Sequence, residues 1–222
     1  MRIKYFILLF VIALAGLTSC KNNDNFFAPV TTTDITVVNA SADTLNFYLN
    51  GTRQNNSSSI FPAGSVTHLI VPSGAQNYQF KKAGSSTILF SVPLTLTKNI
   101  YNSLYLTGET ADKAFNTVDT LLTDSIPFAT VRFVHAAPDA GSLDVFVGDT
   151  VNFKSRAFKS SSVFLPVGSG QKHVRIFQTG SAIAKVDTVI TMQPQRTYTL
   201  FAKGLLNGKG NSVFDVGIIL NL

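Results

Sequence analysis

One segment of this chain occurs twice, and a strand, turn, strand unit that recurs at fixed register restricts the fold to two copies of one module. The clearer copy opens with Val131-Arg132-Phe133-Val134-His135, turns at Pro138-Asp139 and continues as Leu143-Asp144-Val145-Phe146-Val147. The more worn copy runs from Ile35 to Asn39, turns at Ala42-Asp43 and continues from Leu45 to Leu49. Ile35 and Val131, Gly84 and Gly180, and Gly108 and Gly204 keep one spacing (131 − 35, 180 − 84 and 204 − 108 all equal 96). Gly141 and Ser142 add two residues after the second opening turn, and the loops before Gly74 and Gly170 reabsorb them.

Both copies read as short strands bounded by Gly, Pro or Asn. Ile35, Val37 and Asn39 share one face of the first strand and Leu45, Phe47 and Leu49 one face of the second, and Val66–Val71 alternates before Pro72-Ser73-Gly74 breaks the run. Tyr78-Gln79-Phe80 and Ile88-Leu89-Phe90 form a hairpin around Gly84, Asn99 to Leu106 is a further strand, and Val118 to Leu122 closes the unit. The second half repeats this order in Leu143–Val147, Ser162–Leu165, Lys172–Phe177, Ile183–Thr191, Arg196–Ala202 and Val213–Leu220. With 45% apolar and 14% charged residues the chain is too apolar for disorder. The expected class is all-β, as two tandem immunoglobulin-like β-sandwiches over residues 34–124 and 129–222, with a linker at 125–128. A single closed β-barrel made by both halves is the alternative. Roughly 90 residues apiece is enough for each half to bury its own core.

The first 19 residues stand apart. Arg2 and Lys4 precede an apolar run from Tyr5 to Leu17, too short to span a bilayer, which reads as an export signal. It ends in Leu17-Thr18-Ser19-Cys20, which resembles a bacterial lipobox, and Cys20 is the only cysteine of the chain. The resemblance implies that Cys20 becomes the mature N-terminus carrying acyl chains, so that membrane lipid is the first partner and several chains together give stable anchoring. Lys21, rather than Asp, follows the cysteine and favours the outer membrane, periplasm-facing or at the cell surface. Residues 20–33 read as a tether.

Val134-His135-Ala136-Ala137-Pro138-Asp139-Ala140 with Leu143-Asp144-Val145-Phe146-Val147 resembles the opening V-H-A-S-P-D-A-P and V-D-V-Y-V segments of the bacterial DUF4397 family. That family is a domain of unknown function, common in secreted or lipid-anchored proteins and often in tandem. The first half departs from the pattern with Asn39 for His135, Ala42 for Pro138 and Asn46 for Asp144. The resemblance implies no activity.

His135, Asp139 and Asp144 are the titratable residues inside a recognisable motif. Their spacing favours structure over chemistry: His135 shares a strand face with Val131 and Phe133, and Asp139 after Pro138 suits an Asx turn. His68 and His173 have no ligand-spaced partner in sequence, so no zinc site or other metal site is expected, and no cofactor. Gly168-Ser169-Gly170 lacks the nucleophile-elbow pattern, and Gly204 to Gly210 reads as a hairpin loop. No catalytic residue is expected.

Sugar platforms use aromatic faces. There is no Trp, the 18 Phe alternate within strands as core residues, and Tyr48, Tyr78, Tyr101, Tyr105 and Tyr198 remain as candidates. Charge is asymmetric: residues 34–124 hold 5 Lys+Arg against 6 Asp+Glu (5 − 6 = −1), and residues 129–222 hold 10 against 5 (10 − 5 = +5). Lys154, Arg156 and Lys159 crowd one polar loop, with Lys172 and Arg175 beyond it. These five are the candidate contacts for a polyanion such as lipopolysaccharide or an acidic envelope polysaccharide. An envelope address disfavours nucleic acid. The expected function is therefore a lipid-anchored envelope protein with a structural or binding role, set against a glycan- or polyanion-binding accessory protein and an envelope hydrolase.

Overall fold

The computed structural model describes residues 30–55, 58–119 and 128–221. The expected export signal, Cys20 and most of the expected linker lie outside the described residues.

Sixteen strands are formed among the described residues, eight in each half. The first half comprises β1 (Thr32–Asn39), β2 (Leu45–Leu49), β3 (Thr52–Arg53), β4 (Ser65–Pro72), β5 (Gly74–Lys82), β6 (Phe90–Leu96), β7 (Asn102–Leu106) and β8 (Ala114–Val118). The second comprises β9 (Ala129–His135), β10 (Leu143–Val147), β11 (Val151–Arg156), β12 (Leu165–Val167), β13 (Gly170–Gln178), β14 (Ala184–Met192), β15 (Thr197–Lys203) and β16 (Asp215–Leu220). Single turns of 3-10 helix at Ala111–Lys113 and Gly210–Ser212 precede β8 and β16.

They build four sheets, ordered β4-β1-β7-β8 and β3-β2-β5-β6 in the first half, and β12-β9-β15-β16 and β11-β10-β13-β14 in the second. The molecule is thus all-β, in two sandwich-like units, and not one closed barrel. Each unit has a single parallel pair, β1 with β7 and β9 with β15, among antiparallel neighbours. Matched turns carry matched backbone: Ala63 and Lys159, Asn99 and Gln195, and Gly84 and Gly180 all sit at positive φ.

Three strands were not legible as such, the first being β3, whose two residues lie in a polar stretch without pattern and pair with β2. Val151–Arg156 pairs with β10 as β11, so Lys154 and Arg156 belong to a strand and not to a polar loop, while Lys159 follows in the connection to β12. The last strand of the first unit is Ala114–Val118, earlier than the expected Val118–Leu122, of which residues 120–122 lie outside the described residues.

Each sandwich closes on its own core. In the first, Ile35, Val37, Leu45, Phe47, Tyr78, Phe80, Phe90 and Leu104 pack together, with the Phe80 ring 5.4 Å from Phe47 and 5.1 Å from Phe90. In the second, Val131, Phe133, Leu143, Val145, Val174, Ile176 and Leu200 do the same. The outer strands β5 and β13 alternate, as a sheet with one wet face must. The inner strands do not: every residue of β7 and of β9 is buried. The second face of each inner sheet is covered by the other unit, through a third core of Val38, Ala40, Tyr105, Val134, Ala136, Phe201 and Ile219. Residues from Thr31 onward accordingly form one compact unit.

A polar network lies in the same interface. Arg132 on β9 reaches Asp119 after β8 with Nη2 donating to Oδ1 at 2.5 Å, the two side chains being 2% and 5% exposed. Arg132 Nε donates to Thr199 Oγ1 at 2.9 Å, and Ser103 and Thr117 hydroxyls donate to the Asp119 carboxylate at 2.6 and 3.2 Å. A buried charge of each sign is tolerated because each is paired and hydrogen-bonded.

Candidate functional site

The motif residues of the second half are pinned to backbone and kept apart from one another. His135 is fully buried; its Nε2 donates to the Gly141 carbonyl at 2.6 Å and its Nδ1 accepts from the Ala137 N–H at 3.3 Å. That arrangement requires the neutral tautomer protonated at Nε2, and burial pushes the imidazole below its ordinary pKa, partly opposed by the Gly141 carbonyl. Asn39 does the same work in the first unit, donating Nδ2 to the Asp43 carbonyl at 2.6 Å and accepting from the Ser41 N–H at 3.0 Å. Asp139 does not close an Asx turn on its own loop; both its oxygens accept the Leu206 N–H at 3.1 Å, tying the motif to the loop after β15. Asp144 accepts the Ser155 N–H at 2.7 Å and the Thr179 hydroxyl at 3.0 Å.

The five expected polyanion contacts do not fall on one patch. Lys154 and Arg175 project from the outer face of the β10 sheet, where Asn152 and Arg175 both stand opposite Phe146 and the Arg175 guanidinium lies 6.0 Å from the Phe146 ring. Arg175 is also opposite Asp187, which pairs with His173 at 3.1 Å. Lys172 has the inward parity of Val174, and its Nζ lies 3.3 Å from where a Cβ on Gly168 would stand. Arg156 donates to the Ser161 carbonyl. Lys159 donates to the Asp112 carbonyl of the first unit at 2.6 Å, so it serves the junction between the units.

The tyrosines form no row. Tyr78, Tyr105 and Tyr198 are buried; burial pushes the Tyr78 hydroxyl up to about 12 and the Tyr105 hydroxyl higher. Tyr48 lies under Lys81 at 4.5 Å on the outer face of the first unit. Tyr101 is exposed, and it lines a cleft of about 270 Å³ with Thr32, Asp34, Ile70, Asn99 and Ile100. This cleft pairs one aromatic ring with a carboxylate, an amide and a hydroxyl, the groups that a sugar edge and face require.

Sequence reasoning missed two histidine–acid pairs and the interface. His68 sits 3.4 Å from Asp34 and 3.0 Å from the Asn221 carbonyl, bridging the two units. The available signal for the interface was Arg132, a charge in the middle of an otherwise apolar strand. Among the described residues no group of three or more His, Cys, Asp or Glu side chains converges as a metal ligand set.

Residues 129–215 match the family described as domain of unknown function DUF4397, and a domain of that kind is found there. No curated protein matches the chain. Among solved structures, a family 26 carbohydrate-binding module from Eubacterium rectale, in complex with maltoheptaose, is 11% identical with a TM-score of 0.26, over 84% of this chain and 96% of that one. A proposed cell adhesion protein from Bacteroides eggerthii is 8% identical with a TM-score of 0.20, over 86% and 95%. At such TM-scores neither likeness says anything about what this chain binds.

Proposed function

We propose that this is a lipid-anchored envelope protein of the outer membrane, built from two tandem copies of the DUF4397 module, with a structural or binding role and no catalysis. The single observation behind the non-catalytic part is the state of His135: both ring nitrogens are engaged by backbone, in the pattern that Asn39, an amide, makes in the other unit. A position where Asn does the same work is a structural pin, not an acid or base. The tandem reading rests on the common strand order of the two units and the constant spacing of 96. Anchoring rests on Leu17-Thr18-Ser19-Cys20. Cys20→Ala should move the protein from the membrane to the soluble envelope fraction; unchanged membrane association would refute acyl anchoring.

Glycan or polyanion binding is the second reading, favoured by the Tyr101 cleft and by Lys154 and Arg175 on one outer face. Isolated exposed cations each contribute little, so a single replacement would be lost in noise. Lys154 and Arg175 replaced together by Ser should lower the salt needed to elute the protein from heparin or lipopolysaccharide. Elution at unchanged salt would leave these two as solvated side chains.

A further inference from the structure

We infer that the two units meet through one self-complementary surface related by an approximate two-fold axis, and that the Arg132–Asp119 pair decides which unit pairs with which. The inference rests on the tandem reading. Position matching comes from strand register. β1 matches β9 and β7 matches β15 at a spacing of 96, so Asn102 corresponds to Tyr198. Asn102 stands opposite Val118 and Tyr198 opposite Leu220, which matches β8 to β16 at a spacing of 102 (220 − 118). Asp119 therefore corresponds to Asn221, and their N–H groups donate to the corresponding carbonyls of Tyr101 and Thr197.

Residues that correspond and also touch must lie near a two-fold axis. Tyr105 and Phe201 correspond, and their rings meet edge-on at 6.1 Å. Val38 with Val134, and Ala40 with Ala136, correspond within the same buried cluster. Contacts away from the axis cross in both directions between the units, though through side chains that do not correspond. The first unit's β4 reaches the end of β16 through His68 and the Asn221 carbonyl, and the second unit's segment before β12 reaches β8 through Phe158 and Phe115, whose rings lie 6.2 Å apart. The polar network is doubled as well: Ser103 donates to Asp119 at 2.6 Å, and its counterpart Thr199 donates to Asn221 at 2.7 Å.

The symmetry is broken where it would otherwise permit self-pairing. Arg132 corresponds to Thr36, and Asp119 to Asn221. Two first units placed face to face would bury two Asp119 carboxylates opposite Thr36, and two second units would bury two Arg132 guanidinium groups opposite Asn221. Only a first unit against a second satisfies both charges, because an unpaired buried charge is what such an interface least tolerates. Size follows the same division: Phe115 stacks on Tyr105 at 5.2 Å, whereas its counterpart Gly217 leaves bare backbone against the Phe201 ring, 2.2 Å from where a Cβ would be.

The test moves the pair across the axis in the whole protein, read by urea midpoint and by light scattering after size exclusion. Asp119→Asn and Thr36→Arg should each lower the midpoint. The fourfold variant Arg132→Thr, Asp119→Asn, Thr36→Arg, Asn221→Asp should recover at least half of the midpoint lost by Asp119→Asn, in the oligomeric state of the parent. A fourfold variant no better than Asp119→Asn would overturn the inference. Thr36→Arg with Asn221→Asp keeps the native pair in place and guards against failure to fold: Asn221→Asp must recover part of the loss caused by Thr36→Arg, and no recovery also overturns the two-fold relation. Failure of the tandem reading registers elsewhere, as a failure of His135→Asn to be accommodated like Asn39. If that variant folds normally while both rescues fail, the units are copies but the axis is wrong.

Discussion

Asp119→Asn isolates the Arg132 guanidinium in the junction between the units. The substitution keeps the shape and leaves oxygen and amide groups for Ser103 and Thr117, but it removes the only carboxylate among the described residues within 4 Å of a guanidinium that is 2% exposed. Removing one partner of a buried pair typically costs about 3–5 kcal/mol, because the remaining charge is uncompensated. At about 2–4 °C per kcal/mol for a unit of this size, the melting temperature should fall by about 6–20 °C. Lys203–Asp215 supplies the control: its atoms are 3.8 Å apart, its aspartate is 53% exposed, and Asp215→Asn should cost under about 1 kcal/mol. Arg132→Met with Asp119→Leu should recover most of the loss, since an apolar pair leaves no charge to satisfy. The assay is urea and thermal unfolding followed by far-ultraviolet circular dichroism. An Asp119→Asn loss no larger than that of the control would refute the description of the junction as dry and charge-paired.

His135 makes stability depend on pH with a definite sign. Its folded-state pKa is depressed by burial, so below the unfolded value of about 6.5 the unfolded chain takes up a proton that the folded one refuses. Stability should be full above that pH and decline as pH falls through it; His135→Asn should fold and flatten the decline, and an unchanged slope in urea titrations would assign it to another group. Gly217→Ala would drive a Cβ into the Phe201 ring and should cost about 1–3 kcal/mol, with part recovered by Phe201→Leu; no loss on thermal unfolding would mean that β16 is free to shift. Tyr105→Phe removes a buried hydroxyl that lies beside Ser103 and Arg132 but makes no hydrogen bond of normal geometry among the described residues, and should leave stability unchanged or raise it by up to about 1 kcal/mol; a marked loss on thermal unfolding would mean that the hydroxyl is bonded.

Most strands were legible because their outer-sheet pattern alternates: β5 and β13 have the same order of exposed and buried residues, and Gly74, Gly84, Gly170 and Gly180 punctuate them at positive φ. β11 was hidden because Lys154-Ser155-Arg156 is polar, and Ser155 sits at positive φ beside a register shift. The interface was hidden for the opposite reason. Val131-Arg132-Phe133-Val134-His135 is buried throughout, and a strand covered on both faces has no alternation to say that a second partner is present. That His135 is a hydrogen-bonded histidine on a core-facing strand was legible from spacing, but the destination of Asp139 at Leu206 was not, since nothing local links residues 67 positions apart. The basic residues were grouped by sequence proximity, and the pleat then sent Lys172 and Arg175 to opposite faces.

Scanning calorimetry of the whole protein tests the two-unit body most directly. With three buried cores, one of them shared, and a charge pair bridging the units, the sandwiches should melt in one transition whose calorimetric and van't Hoff enthalpies agree, and Asp119→Asn should split or broaden it. Two well-separated transitions in the native protein, unaffected by Asp119→Asn, would contradict the account and return the halves to independently folding domains.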